Sequence, residues 1–181
     1  MIGDSKAGKT SILYRLTQNF IPSPLPLTSG ATFTKHTISV SGFDIELGIW
    51  DTEGSVSSTR SGQLHILDAQ IVMIIYDVRD RTSFENVSEY HNIALSSLTS
   101  DHAEFVLVAN KCETEPEERQ VSHEEGLNMA NQLGAHFHEV SSLSGIGVTD
   151  LFALSCYRYL EYFGVQIDEP QHADAPKQET Q

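Results

Sequence analysis

Near its amino terminus the chain reads Gly3-Asp4-Ser5-Lys6-Ala7-Gly8-Lys9-Thr10, a stretch that fits the phosphate-binding pattern G-x-x-x-x-G-K-[ST] at every required position. Two glycines let the backbone curl into a nest whose N–H groups point at a polyphosphate. A helix that opens at Gly8 would direct the positive end of its dipole at the same charge. The other interpretation is a loop in which the glycines only form a turn. The complete match favours a nucleotide-binding protein.

The two residues that end this stretch carry the specific chemistry. The Lys9 ammonium would bring a positive charge to the β- and γ-phosphate oxygens. The Thr10 hydroxyl is a small, hard oxygen ligand of the kind that Mg²⁺ prefers. The sequence therefore predicts that phosphates bind here together with a magnesium ion.

Composition restricts the class of protein. A chain of 181 residues is long enough for one domain that buries about 70% of the surface of the unfolded chain. Its 25 acidic and 11 basic side chains give a net charge of −14, which argues against nucleic acid or an anionic membrane surface as the main partner. Cys112 and Cys156 lie far apart and outside any metal-binding spacing, so we expect a reducing compartment, the cytosol. We expect neither a membrane span nor a signal peptide, because no apolar run approaches the roughly eighteen residues that a span needs.

Apolar periodicity predicts helices and strands that alternate along the chain. Helical patterns cover residues 9–20, begin again at the capping-box patterns of 82–85 and 122–125, and return at 148–163. Strand patterns cover residues 33–40, 43–50, 70–76, 104–109 and 137–140. Ser41 and Gly42 predict a hairpin turn between the first two strands. Residues 22–31 have no apolar rhythm, which is typical of a mobile loop.

This alternation predicts an α/β fold of the doubly wound type, with a mostly parallel sheet and helices on both faces. Such sheets bind their ligands at the carboxyl ends of the strands. We expect one domain over residues 1–164. Residues 165–181 have little to bury and predict a disordered acidic and polar tail.

Three further segments follow predicted strands at their carboxyl ends. They are Trp50-Asp51-Thr52-Glu53-Gly54, Asn110-Lys111-Cys112-Glu113 and Ser141-Ser142-Leu143. Together with the phosphate-binding stretch and Thr28, their order resembles the five signature segments of the Ras superfamily of small GTPases. The stretches IGDS, IWDT and IIYDVRDRTSFENV are most similar to the Rab and Ras branches. A small nucleotide kinase would account for neither the Asn-Lys pair nor the segment at 51–54.

The resemblance, which covers nearly everything up to residue 164, implies a G domain with a six-stranded sheet that binds GTP or GDP with Mg²⁺. It assigns nucleotide contacts to Gly3, Asp4, Ser5, Lys6, Ala7, Gly8, Lys9, Thr10, Ser11, Thr28, Asp51, Gly54, Asn110, Lys111, Glu113, Ser141, Ser142 and Leu143. It implies that Thr10, Thr28 and, through water, Asp51 hold the metal, and that Lys9, Gly54 and Ser55 stand at the catalytic positions. Residues 22–34 and 51–67 would be two switches whose order changes with the γ-phosphate, and effector, exchange and activating proteins would recognise them.

The second switch departs from the family pattern. Where the family reads DTAGQ, this chain has Asp51-Thr52-Glu53-Gly54-Ser55, so a serine replaces the glutamine that orients the attacking water. Glu53 adds a carboxylate beside the expected γ-phosphate, which would weaken triphosphate binding unless the side chain turns outward.

The segments that would contact the guanine base also depart from the family pattern. Glu113 stands where the family has aspartate, and its extra methylene moves the carboxylate by roughly 1.5 Å. We therefore expect guanine selectivity to suffer more than binding. Leu143 stands where the family has a basic side chain near the base. Lys6 occupies a position at which the family usually has a small residue, and its side chain either adds positive charge beside the phosphates or points to solvent.

Two functions remain open at this point. The first is a GTP-binding switch whose hydrolysis is slow or depends on a partner protein. The alternative is a non-catalytic interaction module, which Glu53, Ser55 and Glu113 together favour. No cysteine follows Cys156, so we expect no encoded prenylation and expect any membrane association to depend on partner proteins.

The phosphate-binding stretch would normally follow a buried central strand, yet only Met1 and Ile2 precede it. About five apolar residues of such a strand are absent, a loss of roughly 7–15 kcal/mol of stabilisation. We expect either that the natural chain begins upstream or that this chain is marginally stable.

We predict that Ser55→Gln accelerates intrinsic GTP hydrolysis. A serine is too short to hold both water and backbone, so turnover should be on the order of 10- to 100-fold slower than in relatives with glutamine, about 1.4–2.7 kcal/mol in barrier height. Single-turnover assays of the two proteins measure the difference. Equal rates would mean that Ser55 does not limit hydrolysis.

Overall fold

The computed structural model describes residues 1–25, 28–54, 64–100 and 102–170. Its elements, in chain order, are α1 (Lys9–Gln18), β1 (Ala31–Val40), β2 (Phe43–Thr52), β3 (Ile71–Asp77), α2 (Arg81–Glu85), α3 (Val87–Ser97), β4 (Glu104–Asn110), α4 (His123–Leu133), β5 (His136–Val140) and α5 (Val148–Tyr162). This order confirms the predicted α/β class. None of the helices in the described ranges is long and apolar enough to cross a membrane.

Strands β1 and β2 form the predicted hairpin. They pair antiparallel from Ala31 opposite Thr52 to Val40 opposite Phe43. Ser41 and Gly42 both adopt positive φ angles, as a two-residue turn of this kind requires. Side chains alternate in burial along β2, so that one face of the hairpin packs against the core.

Strands β3, β4 and β5 form a parallel sheet in that order. Their registers bring Asp77, Asn110 and Val140 to one edge, because Asp77 lies opposite Asn110 and Asn110 opposite Val140. The loops that leave these strands therefore meet at the carboxyl edge of the sheet, where the sequence predicts the ligand.

Met1 and Ile2 join the hairpin to the parallel sheet. The Ile2 N–H donates to the Met73 carbonyl and the Ile75 N–H donates to the Ile2 carbonyl, both at 2.9 Å, so that Ile2 pairs with Ile74 in the parallel sense. On the other side the Met1 amino group donates to the Trp50 carbonyl. In the described residues the isolated bridge of Ile2 to Ile74 is all that forms of the central strand, which the sequence predicts to be largely missing. A cavity of about 640 Å³ beside it lies between β2 and the start of β3.

Helices cover both faces of the sheet, as predicted. On one face α1 and α5 bury Ile12, Leu151 and Phe152 against alternate residues of β3 and β4. On the other face α2, α3 and α4 bury Phe84 and Val87, with Tyr90, Ala94 and Ala130, against the remaining residues of the same strands. Burial on both faces explains why these strands read as continuous apolar runs in the sequence.

The two predicted capping boxes have different outcomes. The box of Ser122 and Glu125 is confirmed, since the serine hydroxyl accepts from the Glu125 N–H while the glutamate accepts from the Ser122 N–H. The box at residues 82–85 is wrong. Helix α2 begins two residues earlier, and the side chain of Asp80 caps it by accepting from the N–H groups of Thr82 and Ser83.

The segment after α5 runs back toward the hairpin. Ile167 packs against the core cluster that contains α1 and α5, and the Ser41 hydroxyl donates to the Asp168 carbonyl. Residues 171–181 of the predicted tail lie outside the described residues.

We predict that Gly126→Ala destabilises the fold by about 1–3 kcal/mol although alanine favours helices. A Cβ at this buried position of α4 would lie 2.5 Å from the Tyr76 hydroxyl and 2.6 Å from the Phe137 ring. Chemical denaturation measures the change, with Asn128→Ala on the exposed side of the same helix as control. A Gly126→Ala protein at least as stable as the control would contradict this packing.

Candidate nucleotide site

The phosphate-binding stretch runs from Ile2 to the first turn of α1 at the carboxyl edge of the sheet. Gly3 and Gly8 adopt φ angles of 136° and 97°. A Cβ at Gly3 would lie 2.1 Å from the Ile75 carbonyl oxygen, and a Cβ at Gly8 would lie 2.1 Å from the Asn110 amide nitrogen. Both positions therefore require glycine for conformation and for space.

Lys9 is buried at the start of α1, with 5% of its surface exposed. Its ammonium donates to the carbonyls of Gly3 and Asp4 at 2.8 Å each, which closes the loop on itself. Burial lowers the pKa of Lys9 to about 8, against the carboxylates of Asp51, Asp4 and Glu53, which raise it. An anion bound in the loop would therefore meet a lysine whose charge is poorly compensated by solvent.

Thr10, Thr28 and Asp51 meet beside this lysine although they lie far apart in sequence. The two threonine hydroxyl oxygens are 2.7 Å apart, and the Thr10 hydroxyl donates to Asp51 Oδ2 at 2.6 Å. Thr28 lies 3.3 Å from the same oxygen. Asp51 Oδ1 is buried and has no hydrogen-bond partner among the described residues. Two hydroxyls and an unsatisfied carboxylate oxygen fit the hard oxygen ligands of Mg²⁺.

Gly54 lies directly against the phosphate-binding stretch. A Cβ on Gly54 would come within 2.0 Å of the Ser5 nitrogen. The preceding Glu53 turns to the loop before β1, where its Oε2 accepts from the Gly30 N–H at 3.0 Å and its own N–H donates to the Gly30 carbonyl. Ser55 lies outside the described residues.

Asn110 ties the loop to the segment that follows β5. Its amide nitrogen donates to the Ala7 carbonyl at 2.8 Å, and its amide oxygen accepts from the Ser142 N–H at 3.1 Å. The Asn110 side chain is fully buried. Three segments that the sequence analysis linked to one ligand are thus held together by one amide.

Lys111, the residue after Asn110, also connects the loop after β4 to the phosphate-binding stretch. It adopts a positive φ angle, and its ammonium donates to the Lys6 carbonyl and to Asp77 Oδ2. Although burial opposes the shift, hydrogen bonds from Lys111 and Arg79 lower the pKa of Asp77. The Lys6 side chain itself is exposed.

The remaining predicted residues lie around this edge with different exposure. Ser141 and Ser142 are buried, whereas Glu113 and Leu143 are exposed. Arg15 of α1 binds the segment that follows β5, because its guanidinium donates to the carbonyls of Ser142 and Leu143 at 2.8 and 2.5 Å.

The sequence analysis missed four residues that organise this site: Asp77, Arg15, Asn86 and Tyr90. Asp77 follows a strand run just as Asn110 does, so its place after an apolar run could have identified it. Asn86 and Tyr90 stand four residues apart and both contact Asp4. That spacing puts two polar groups on the buried side of α3, a signal that could have been read.

Comparisons with known proteins agree on one family. A model described as the Ras family matches residues 1–160. The chain is similar to the GTP-binding protein ypt2 of Schizosaccharomyces pombe, with 33% identity over 152 residues that cover 84% of this chain and 75% of that protein. It is also similar to the Ras-related protein Rab-8A of Bos taurus, with 29% identity over 177 residues that cover 98% of this chain and 83% of that protein. The Ras-related protein SEC4 of Candida albicans shares 34% identity over 152 residues, 84% of this chain and 71% of its own.

We predict that GDP binding takes up a proton at pH 8. The pKa of Lys9 is about 8 in the free protein, and a bound diphosphate should raise it toward its ordinary value. Affinity should therefore be highest below pH 8 and fall as pH rises, by up to about 10-fold per pH unit, until the pKa of the complex is reached.

Calorimetry in two buffers of different ionisation enthalpy measures the uptake, which should be about half a proton at pH 8. Affinity and proton uptake that both stay constant from pH 7 to pH 10 would mean that Lys9 does not meet the phosphates.

Proposed function

Because this chain belongs to the Ras family, we propose that it works as a GTP-binding switch through the edge formed by residues 3–10, Thr28, Asp51 and the loops after β4 and β5. Hydrolysis of GTP is slow or depends on a partner protein. The observation that carries this proposal is the contact of Thr10, Thr28 and Asp51 beside the buried Lys9. It joins the phosphate loop to both segments that the sequence predicts as switches.

Magnesium would be held by the hydroxyls of Thr10 and Thr28 and, through water, by Asp51. When bound, the ion supplies positive charge to the β- and γ-phosphate oxygens. Asp51 Oδ1, buried without a partner among the described residues, supports this role, because such an oxygen costs stability until it meets a donor or a cation.

Two hydrogen bonds connect the two proposed switch segments, one accepted by the Gly30 carbonyl and one by the Glu53 carboxylate. Glu53 and Gly30 exchange two hydrogen bonds, one from each backbone N–H. A γ-phosphate that draws Gly54 toward the phosphate loop would therefore also act on the loop that carries Thr28. This is the kind of bistable contact that a nucleotide-dependent population shift needs.

The Glu53 carboxylate bears on the non-catalytic alternative. This carboxylate would repel a triphosphate only if it faced the γ-phosphate. Because it accepts a hydrogen bond from Gly30 instead, one of the three reasons for that alternative is weakened. The switch remains the function that the geometry supports best, with Lys9, Gly54 and Ser55 at the catalytic positions.

Base recognition would come from Asn110, Lys111 and Glu113, with Ser141, Ser142 and Leu143 on the opposite side. Asn110 orders both halves of this pocket, and Lys111 lies against the backbone of Lys6. Glu113 is exposed, so its longer side chain has room to retreat from the base. Selectivity for guanine thus depends on how the Glu113 carboxylate positions itself.

Partner proteins would contact an aromatic surface between the switch segments. The Trp50 ring lies between those of Phe33 and His65, with centroid distances of 4.9 and 4.4 Å. Leu64 lines the same cavity as these three residues. Phe33 and Leu64 are 47% and 64% exposed. Contiguous apolar side chains of this size on a surface favour a protein interface. The proposed partners are effector, exchange and activating proteins that read residues 22–34 and 51–67.

We expect Lys9→Ala to lower the affinity for GDP and for a non-hydrolysable GTP analogue by about 100-fold, since two or more charge-assisted hydrogen bonds to phosphate are lost. Fluorescent nucleotide titration with and without Mg²⁺ measures this loss. Lys35→Ala is the matched control, because Lys35 is exposed on the hairpin and pairs with Glu46 at the surface. Equal affinities of the two variants would reject the proposed site.

A further inference from the structure

Tyr90 of α3 connects the phosphate loop to the segment that follows β2. Its hydroxyl oxygen lies 2.7 Å from Asp4 Oδ1 and 2.6 Å from the Gly54 carbonyl oxygen. Asn86, one helical turn earlier, donates to the other oxygen of the Asp4 carboxylate at 2.8 Å. A helix on the sheet face thus reaches two parts of the nucleotide site at once.

The position of this hydroxyl is set by packing. Tyr90 is 8% exposed and belongs to the core cluster of Phe84, Val87 and Ala94 on that face. The ring is therefore held by apolar contacts that do not depend on the nucleotide. Only its polar end enters the site.

The hydroxyl carries one proton but faces two acceptors. When Asp4 is ionised, its Oδ1 and the Gly54 carbonyl oxygen both lack a proton of their own. Tyr90 can donate to one of them at a time, so the two acceptors compete. The Gly54 carbonyl is held strongly only when the proton points to it.

The peptide between Glu53 and Gly54 therefore has an anchor on each side. On one side the Glu53 N–H donates to the Gly30 carbonyl at 2.7 Å, and on the other the Gly54 carbonyl lies against Tyr90. Gly54 lies between these anchors and close to the Ser5 backbone, because a Cβ on Gly54 would lie 2.0 Å from the Ser5 nitrogen. Under the proposed function the Gly54 N–H would meet the γ-phosphate. Fixing the carbonyl limits the directions in which this N–H can point.

We propose that Tyr90 is a positioning residue that sets Gly54 against the phosphate loop, and that Asp4 opposes it by competing for the hydroxyl proton. This inference rests on the proposed function and deepens it. It assigns the distinction between a nucleoside triphosphate and a diphosphate partly to α3, outside both switch segments. A diphosphate has no γ-phosphate to contact Gly54, so Tyr90 affects its binding little.

The first test is Tyr90→Phe, which removes one oxygen and leaves the packed ring. The affinity for GTPγS should fall about 3- to 10-fold, as expected for one hydrogen bond, while the affinity for GDP stays within about 2-fold. Tyr157→Phe is the control, because the Tyr157 hydroxyl donates to Glu161 at the surface of α5. An unchanged ratio of the two affinities, or an equal loss of both, would overturn the proposal.

The second test is Asp4→Asn, which replaces a competing acceptor with a group that can donate. An amide nitrogen at this position can donate to the Tyr90 oxygen and leave the tyrosine proton for Gly54. The ratio of GTPγS to GDP affinity should rise, and this rise should vanish in the Tyr90→Phe background. A rise of the same size in both backgrounds would overturn the role of Tyr90.

Trp50 provides a readout of conformation, because it is the single tryptophan of the chain and lies four residues before Gly54. Exchange of GDP for GTPγS should shift its fluorescence, and Tyr90→Phe should reduce that shift at saturating nucleotide. Wild-type protein that binds neither nucleotide would reject the proposed function itself. Normal binding with the same shift in both proteins would reject only the role of Tyr90.

Discussion

The site depends on one short main-chain contact, the pairing of Ile2 with Ile74. Its two hydrogen bonds hold the start of the phosphate loop beside β3, so that the chain turns into the loop at the carboxyl edge of the parallel sheet. The preceding residue, Met1, contacts the end of β2, because its amino group donates to the Trp50 carbonyl and its carbonyl accepts from the Thr52 hydroxyl. With the loop at this edge, Asp51 of β2 accepts a hydrogen bond from Thr10 and Asn110 of β4 donates one to the Ala7 carbonyl.

The protein binds an anion although its net charge is −14. Local geometry resolves this conflict, because the loop offers backbone N–H groups and Lys9 is buried with two carbonyls as partners. Burial keeps the ammonium away from water, so its attraction to phosphate is weakened little by solvent or salt. The surrounding carboxylates of Asp4 and Asp51 accept hydrogen bonds from neighbouring side chains, Asp4 from Asn86 and Tyr90 and Asp51 from Thr10.

Hydroxyl groups link the phosphate-binding stretch to the segments that contain Thr28, Asp51 and Gly54. Thr10, Thr28 and Tyr90 each stand between a carboxylate and a second group, and each has only one proton to donate. If a ligand binds one of the two acceptors, the hydroxyl donates its hydrogen bond to the other acceptor. Under the proposed function, a change at the phosphates would alter the position of Gly54 and of the loop before β1 together.

Much of the fold and the candidate site can be read from the sequence. Apolar runs identified β3 and β4 because both faces of these strands are buried, and the spacing of Gly3, Gly8 and Lys9 identified the loop. Such signals are local, since they depend on neighbouring residues. The capping box at residues 82–85 failed because Asp80, two residues earlier, offers a competing acceptor to the same N–H groups.

What the sequence alone determined was the class of fold, the order of its elements and the residue types at the phosphate site. Only the tertiary structure decided which side chains meet: that Asn110 joins Ala7 to Ser142, that Glu53 turns to Gly30, and that Tyr90 reaches Gly54. These contacts link residues 23 to 103 positions apart. No local pattern encodes them, because they exist only once the sheet brings the strand ends to one edge.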